Sequence, residues 1–544
     1  MKLNLEVQSM GEKQGTKYKL HQESLGTQED LHLFLKKIGD YPASLPIVHL
    51  SRRKALLELL TVHSELSFIH LKGGYRRIPD LNPELDERQS ERLIQESLKW
   101  AIKWVFDFCN DKGESKSIKP SRKEVIEMLI FAYKYDFFRD VLFSASKGGY
   151  SIKLTNNRLE FIPENINHAF LAYNSWRQAY RERIQINNIQ STGIAAIKEV
   201  QSSEFTMPDT WDLGKYTLNE YKQFSVSLDE LLSIWIKNHG TKNPKIVIGK
   251  YNSSELVKIH HENWWFQQIS NISGLSQNTV KDIISDLTYS NIKDTDPAYQ
   301  YFVPLNENEL ALSACFAGVF IRPERNLVAL IPKMPENAFH QLTNDCEGQQ
   351  ISLIKQSLKD EEILIAEKKT KAQEVRPGMD ILFLDVNTKE LLVVELKWTA
   401  SPSNTGEMYN VDNQVKKGLE QLQKAHEYVA QHIDTILFEY FGASYKGVQP
   451  RDQEYCVAIN ESIGTGEHCD AFAHVVTLDH LIELLNKGVG YTINTLRNTT
   501  HRIPNEFYSE VPMNFELLGY DIHCSGTQLK GTWLDKSLPK LSRR

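Results

Sequence analysis

Between Asp380 and Lys397 the chain reads DILFLDVNTKELLVVELK, two short apolar runs joined by a polar turn, with ionisable groups gathered at the end away from the turn. Side chains alternate along a strand, so a segment of this kind folds as a buried β-hairpin or hardly at all. A turn at Asn387-Thr388 pairs Leu384 with Leu391, Leu382 with Val393, and Asp380 with Glu395. Lys397 lies two residues past Glu395 and shares its face with both acids. The opposite face carries Leu392, Val394, Leu396 and Trp398, an apolar set suited to burial. Two carboxylates opposed across a ladder repel, and a cation between them removes that penalty.

The residue types suit one reaction in particular. Asp380 and Glu395 offer hard oxygen ligands of the kind Mg²⁺ or Mn²⁺ takes, and the main-chain carbonyl of Leu396 lies beside them as a third. Hydrolysis of a phosphodiester needs an oriented water and a positive group near the phosphate, a role open to Lys397. An ordinary ion pair on a half-exposed strand is the bland explanation of Glu-Leu-Lys, because surface pairs are common and contribute little. The apolar residues along the hairpin and the opposed acids weigh against it.

The rest of the chain narrows the class. With 544 residues it is too long for one core, and three or four units are expected. Hydrophobic residues at 41% and charged residues at 24% are those of an ordinary globular protein. A formal net charge of −7 argues against coating nucleic acid by bulk charge while leaving room for a local basic groove. Cys109, Cys315, Cys346, Cys456, Cys469 and Cys524 form no CxxC pair, which points to free thiols rather than a disulfide framework or zinc ribbon. The opening MKLNLEVQSMGEKQ lacks the apolar stretch of a secretory signal, and the apolar run near Ala314 to Ile321 is too short to span a bilayer. A cytoplasmic protein with no membrane partner is expected. Gly464-Thr465-Gly466 lacks the rest of a dinucleotide fingerprint, and His468, Cys469, His474 and His480 fit no zinc template.

The expected fold class is a multidomain α/β protein. Residues 1–225 read as mostly helical, with strand near 150–162. Leu93, Ile94, Leu98, Ala101, Ile102, Val105 and Cys109 recur at helical spacing, and Ser121 with Glu124 is a capping box. The aromatics Trp100, Trp104, Phe106, Tyr133 and Tyr135 read as core. Residues 226–334 open with a helix from Ser227 that Gly240 can end. A helix, a turn at Gly274 and a second helix capped by Ser276 follow, and residues 301–321 supply strands. That segment resembles the helix-turn-helix of winged-helix domains. Its second helix would expose Gln277, Asn278, Lys281 and Asp282, a poor surface for reading DNA, so packing or dimerisation suits it better. Residues 335–490 read helix, three strands, helix, strand and helix, an α/β sandwich. Residues 491–544 form an extension, apolar near 515–520, whose basic end (Lys536, Lys540, Arg543, Arg544) reads as a solvated tail.

With Gly378-Met379-Asp380 and Glu395-Leu396-Lys397 at the end of an apolar hairpin inside that order of elements, residues 335–490 resemble the PD-(D/E)xK nuclease superfamily, the restriction-endonuclease-like fold. The resemblance implies that Asp380 and Glu395 bind Mg²⁺ or Mn²⁺ and that Lys397 positions the water. Met379 stands where the family name has proline, which leaves the carboxylate in place. Many members add a glutamate from the first core helix, a position matched by Glu347. The helix over residues 411–429 buries Val415, Leu419, Leu422 and Val429, and in the resembling fold its adjacent stripe of Gln414, Lys417 and Gln421 can face the substrate. The expected function is therefore a metal-dependent nuclease acting on DNA, in the setting of restriction or phage defence. The competing expectation is a nucleic-acid-binding or assembly protein whose nuclease-like domain is silent. Nucleic acid is the expected partner, with a protein or a second copy engaging the N-terminal or winged-helix-like units.

Overall fold

The computed structural model describes residues 18–71, 87–109, 120–164, 211–242, 255–292, 295–320, 326–327, 338–358, 363–367, 379–400, 402, 404–445, 447–464, 473–498 and 505–530. Gly378, Gly466, His468, Cys469 and the basic tail from 531 lie outside the described residues.

Among the described residues the N-terminal region carries α1 (Gln28–Asp40), α2 (Arg52–Leu71), α3 (Glu87–Phe108) and α4 (Arg122–Ser146). Helix α4 starts where its capping box requires, with Ser121 Oγ accepting the Glu124 amide at 3.3 Å and Glu124 accepting the Ser121 amide at 2.6 Å. Trp100, Trp104 and Tyr135 are fully buried, and the Trp100 indole donates to Asp136 at 2.7 Å. Phe106 and Tyr133 are partly buried against the same core, so the aromatic residues expected to be core pack into it.

The hairpin of β1 (Tyr150–Thr155) and β2 (Arg158–Pro163) follows α4. A second hairpin completes this sheet from the far end of the chain: β12 (Tyr520–Leu529) runs parallel to β2 and pairs with β11 (Tyr508–Leu517), giving the order β1-β2-β12-β11. Leu517, Ile522 and Cys524 enter the same core as the helices.

The middle unit begins with α5 (Leu218–Lys242), which starts at Leu218 rather than Ser227 because Thr217 and Glu220 form the capping box. The helix continues through Gly240, so the expected boundary at 225/226 falls inside it. Then come β3 (Val257–His261), α6 (Glu262–Ser273), α7 (Gln277–Asp286), β4 (Val303–Pro304) and β5 (Glu309–Ser313), with the three strands in the order β3-β5-β4. Gly274 ends α6 at φ +74°, a left-handed conformation that favours glycine, and the Ser276 hydroxyl caps α7 through the Thr279 amide at 3.1 Å. Val280, Ile283, Ile284 and Leu287 are buried, while Gln277, Asn278 and Lys281 are exposed. The helical region, this unit and the C-terminal hairpin share one continuous core.

The remaining unit holds α8 (Ala338–Ser357), β6 (Ile363–Glu367), β7 (Ile381–Asp385), β8 (Glu390–Lys397), α9 (Thr405–Phe441), β9 (Asp452–Ile459), β10 (Ala473–Thr477), α10 (Leu478–Leu485) and α11 (Val489–Asn498). Its mixed sheet has the order β10-β9-β8-β7-β6, antiparallel from β6 to β8 and parallel from β8 to β10. Parallel neighbours need a long crossover, which α9 provides between β8 and β9. The expected pairs Leu384–Leu391 and Leu382–Val393 are present. Residues 386–389 form the connection, where Asp385 Oδ1 accepts the amides of Asn387 and Thr388, both at 2.9 Å. Strand β10 and helix α11 add to the expected order, α8 starts at Ala338 rather than Glu347, and α9 runs beyond both ends of the expected 411–429.

Both faces of this sheet are covered. Leu382, Leu384, Leu391 and Val393 meet Val415, Leu422 and Val429 of α9. On the other face Ile381, Phe383, Leu392, Val394 and Leu396 meet Leu481, Leu485 and Ile493 of α10 and α11. Each fully buried aliphatic side chain of this kind is worth about 1.5–3 kcal/mol, enough to hold the hairpin register firmly. Trp398 departs from the expected set: it lies past β8 and packs against the first core instead. Among the described residues no helix is long and apolar enough to cross a membrane.

Candidate active site

The end of the β7–β8 hairpin gathers three of the expected residues. The Asp380 amide donates to the Val394 carbonyl at 3.1 Å, extending the ladder one step before β7, and its carboxylate Oδ2 accepts the Leu396 amide at 2.9 Å. Within a strand the N–H and C=O of one residue point toward the same neighbour. The Leu396 carbonyl therefore opens toward Asp380, past the end of β7, as a metal ligand there would require.

Glu395 and Lys397 lie on the α9 face of β8. Glu395 is only 2% exposed, and its Oε1 accepts a close hydrogen bond from Lys397 Nζ. Its other oxygen, Oε2, is buried and meets no donor among the described residues, while the Asp380 side chain lies within hydrogen-bonding reach of Glu395. A buried carboxylate oxygen with no donor costs free energy, so the site as built asks for a further positive group or a proton. Burial pushes the Glu395 carboxyl up to about 8, the charge of Asp380 adds to the shift, and Lys397 opposes it. Burial and the neighbouring Asp380 thus favour the protonated form of Glu395 in spite of its contact with Lys397.

The oxygens at the hairpin end could supply part of a divalent cation's coordination sphere. Among the described residues no group of three or more His, Cys, Asp or Glu side chains is placed to hold a metal. Asp380, Glu395 and the Leu396 carbonyl make a partial set, which suits an ion such as Mg²⁺ that keeps several waters.

Glycine lets α9 come close to β9 beside the lysine. A Cβ built on Gly418 of α9 would lie 3.4 Å from Lys397 Cε and 3.1 and 3.2 Å from the Val457 methyls, so α9 rests directly on the lysine stem and β9. Gln414 and Gln421, four residues before and three after Gly418, share its side of α9 and are half-buried. Lys417 is offset by one residue and exposed, so it sits at the margin of the site rather than inside it. Glu347 lies half-buried on α8, one turn before Gln350, whose Nε2 donates to the Lys397 carbonyl at 3.4 Å. It is thus on the side of α8 nearest the end of β8.

Gly418 and Gln350 escape sequence reasoning, along with Asn460, which bonds the backbone of Thr399. A glycine inside a long helix costs about 1 kcal/mol relative to alanine, and that cost is the available signal for Gly418. The lone cation Lys281 on the exposed face of α7 remains a poor DNA-reading surface. His474 lies 3.8 Å from Glu454 on the sheet's far edge, away from the hairpin end. Comparison of the chain with protein-family models, with curated proteins and with solved structures finds no significant match.

Proposed function

We propose that the protein is a metal-dependent nuclease of the PD-(D/E)xK kind, hydrolysing phosphodiester bonds in DNA at the end of the β7–β8 hairpin. The observation that carries the reading is the pairing of the buried Glu395 carboxyl, whose Oε2 meets no donor among the described residues, with the neighbouring Asp380 side chain. A stability-only role for a buried carboxylate would bring donors to both oxygens.

Asp380, Glu395 and the carbonyl of Leu396 would hold Mg²⁺ or Mn²⁺. When bound, the ion supplies Lewis-acid activation and offsets charge on the phosphate. Lys397 orients the attacking water and shields the phosphoryl oxygens, since its ammonium is tethered beside Glu395 and aimed along the same face. Gln414 and Gln421 line the α9 side, where neutral amides can donate to phosphate or sugar without competing for the cation. Glu347, on α8, would be an added acid. The helix-turn-helix-like unit and the large first core would govern when the site is engaged, an arrangement suited to an effector of phage defence.

Incubation with supercoiled plasmid and with single- and double-stranded oligonucleotides tests this, using Mg²⁺, Mn²⁺ or EDTA and the Lys397→Ala variant. Cleavage that needs the metal and is lost in Lys397→Ala is expected. Equal cleavage by wild type and Lys397→Ala removes the site assignment, and no cleavage under any of these conditions favours a binding or assembly role.

A further inference from the structure

The β8–β9 ladder ends at the rung Lys397–Ile459. One step on, a side chain takes over from the backbone. Asn460 Oδ1 accepts the Thr399 amide at 2.9 Å, and Asn460 Nδ2 donates to the Thr399 carbonyl at 2.8 Å. One carboxamide thus satisfies both main-chain groups of Thr399, as a neighbouring strand would. The Lys397 carbonyl is held separately, by Gln350 of α8.

These bonds act where the chain is pulled in two directions. Lys397 faces α9 and reaches back to Glu395, while the next residue, Trp398, leaves the sheet and packs against the first core. The direction of a side chain follows the backbone that carries it. With nothing holding Thr399, the exit of β8 would follow Trp398 and carry the lysine ammonium away from the acids. Thr399 is 9% exposed and Gln350 5%, so water is a poor substitute partner for either.

We propose that Asn460 is a positioning residue for Lys397, clamping Thr399 so that the end of β8 keeps the lysine on the Glu395 side of the sheet. The proposal rests on the nuclease reading for its consequence in catalysis, while the clamp can be read without activity.

The test uses the full chain with Asn460→Ala and Asn460→Asp, the latter keeping an acceptor for the Thr399 amide and losing the donor. In Mg²⁺-dependent plasmid cleavage, kcat should fall about tenfold or more in Asn460→Ala, since small misplacements of a reacting group are costly. KM for DNA and the calorimetric affinity for Mn²⁺ alone should stay within about twofold, because Asp380 and Glu395 are held by rungs upstream. Independently, acylation of Lys397 by acetic anhydride, followed by peptide mass spectrometry, should be several-fold faster in Asn460→Ala, with Asn460→Asp between it and wild type. If Asn460→Ala fails to fold, the Asn460→Asp comparison decides. Unchanged kcat with unchanged acylation overturns the proposal. A wild type without cleavage overturns the nuclease reading, and the acylation rates alone then decide the clamp.

Discussion

The Asp380 carboxylate accepts the Leu396 amide at 2.9 Å, tying the acid before β7 to the peptide between Glu395 and Lys397. One hydrogen bond therefore sets the spacing of all three site residues. It also separates two roles of Asp380, as backbone acceptor and as charge.

Asp380→Asn keeps an acceptor for Leu396 and removes the charge that disfavours ionised Glu395. Its stability should match or exceed that of wild type in urea unfolding without metal, while calorimetric Mn²⁺ affinity falls sharply. Asp380→Ala leaves the amide unpaired and should lose about 1–3 kcal/mol. Mn²⁺ affinity unchanged in Asp380→Asn would remove Asp380 from the metal site.

Glu395 predicts an unusual pH dependence. Its carboxyl lies at about 8 in the folded protein against an ordinary 4.5, so between those values the folded state binds more protons than the unfolded one. Metal-free stability should fall as pH rises through that window, by up to about 1.4 kcal/mol per pH unit from this group, and the contribution should vanish in Glu395→Gln. Mn²⁺ binding at pH 7 should release a proton, visible as a calorimetric enthalpy that depends on the buffer's ionisation enthalpy. A wild-type slope equal to that of Glu395→Gln would contradict the buried state of the group.

Gly418→Ala sets helix propensity against crowding. Alanine gains about 1 kcal/mol in a helix interior. The added methyl would press on the Val457 methyls and touch the Lys397 stem, and overpacking costs about 1–3 kcal/mol. Thermal unfolding should therefore show little change or a modest loss, while cleavage drops because the lysine is the neighbour freest to move. A more stable variant with full activity would show that Gly418 is not needed for the close approach.

Truncation after residue 504 removes β11 and β12 and uncovers the edge of β2 and the core around Leu159 and Phe161. The shortened chain should be less soluble and more quickly cut by protease within the N-terminal helices. Wild-type protease resistance of those helices would show that the hairpin is dispensable.

Local patterns are legible in the residues themselves. The hairpin register follows from alternation and a short turn, so Leu382–Val393 and Leu384–Leu391 can be read from the chain, as can the capping box at Ser121 and the buried stripe of Val415, Leu419, Leu422 and Val429. Each depends on residues close in the chain. The start of α5 is misleading in sequence because Ser227-Leu-Asp-Glu230 imitates a cap that Thr217 and Glu220 supply. The destination of Trp398 is misleading because the alternation of apolar residues continues after the strand has ended.

By itself the sequence determined the hairpin, its paired acids and the lysine beside them, because strand periodicity and like-charge repulsion act over a few residues. Only the tertiary structure decided that Glu395 is buried with one oxygen lacking a donor among the described residues, that Gly418 brings α9 against Val457 beside Lys397, and that Asn460 closes the ladder beyond it. It also decided that the last hairpin completes a sheet with β2. Those outcomes depend on which distant surfaces exclude water from one another, and residue spacing along a chain carries no record of that.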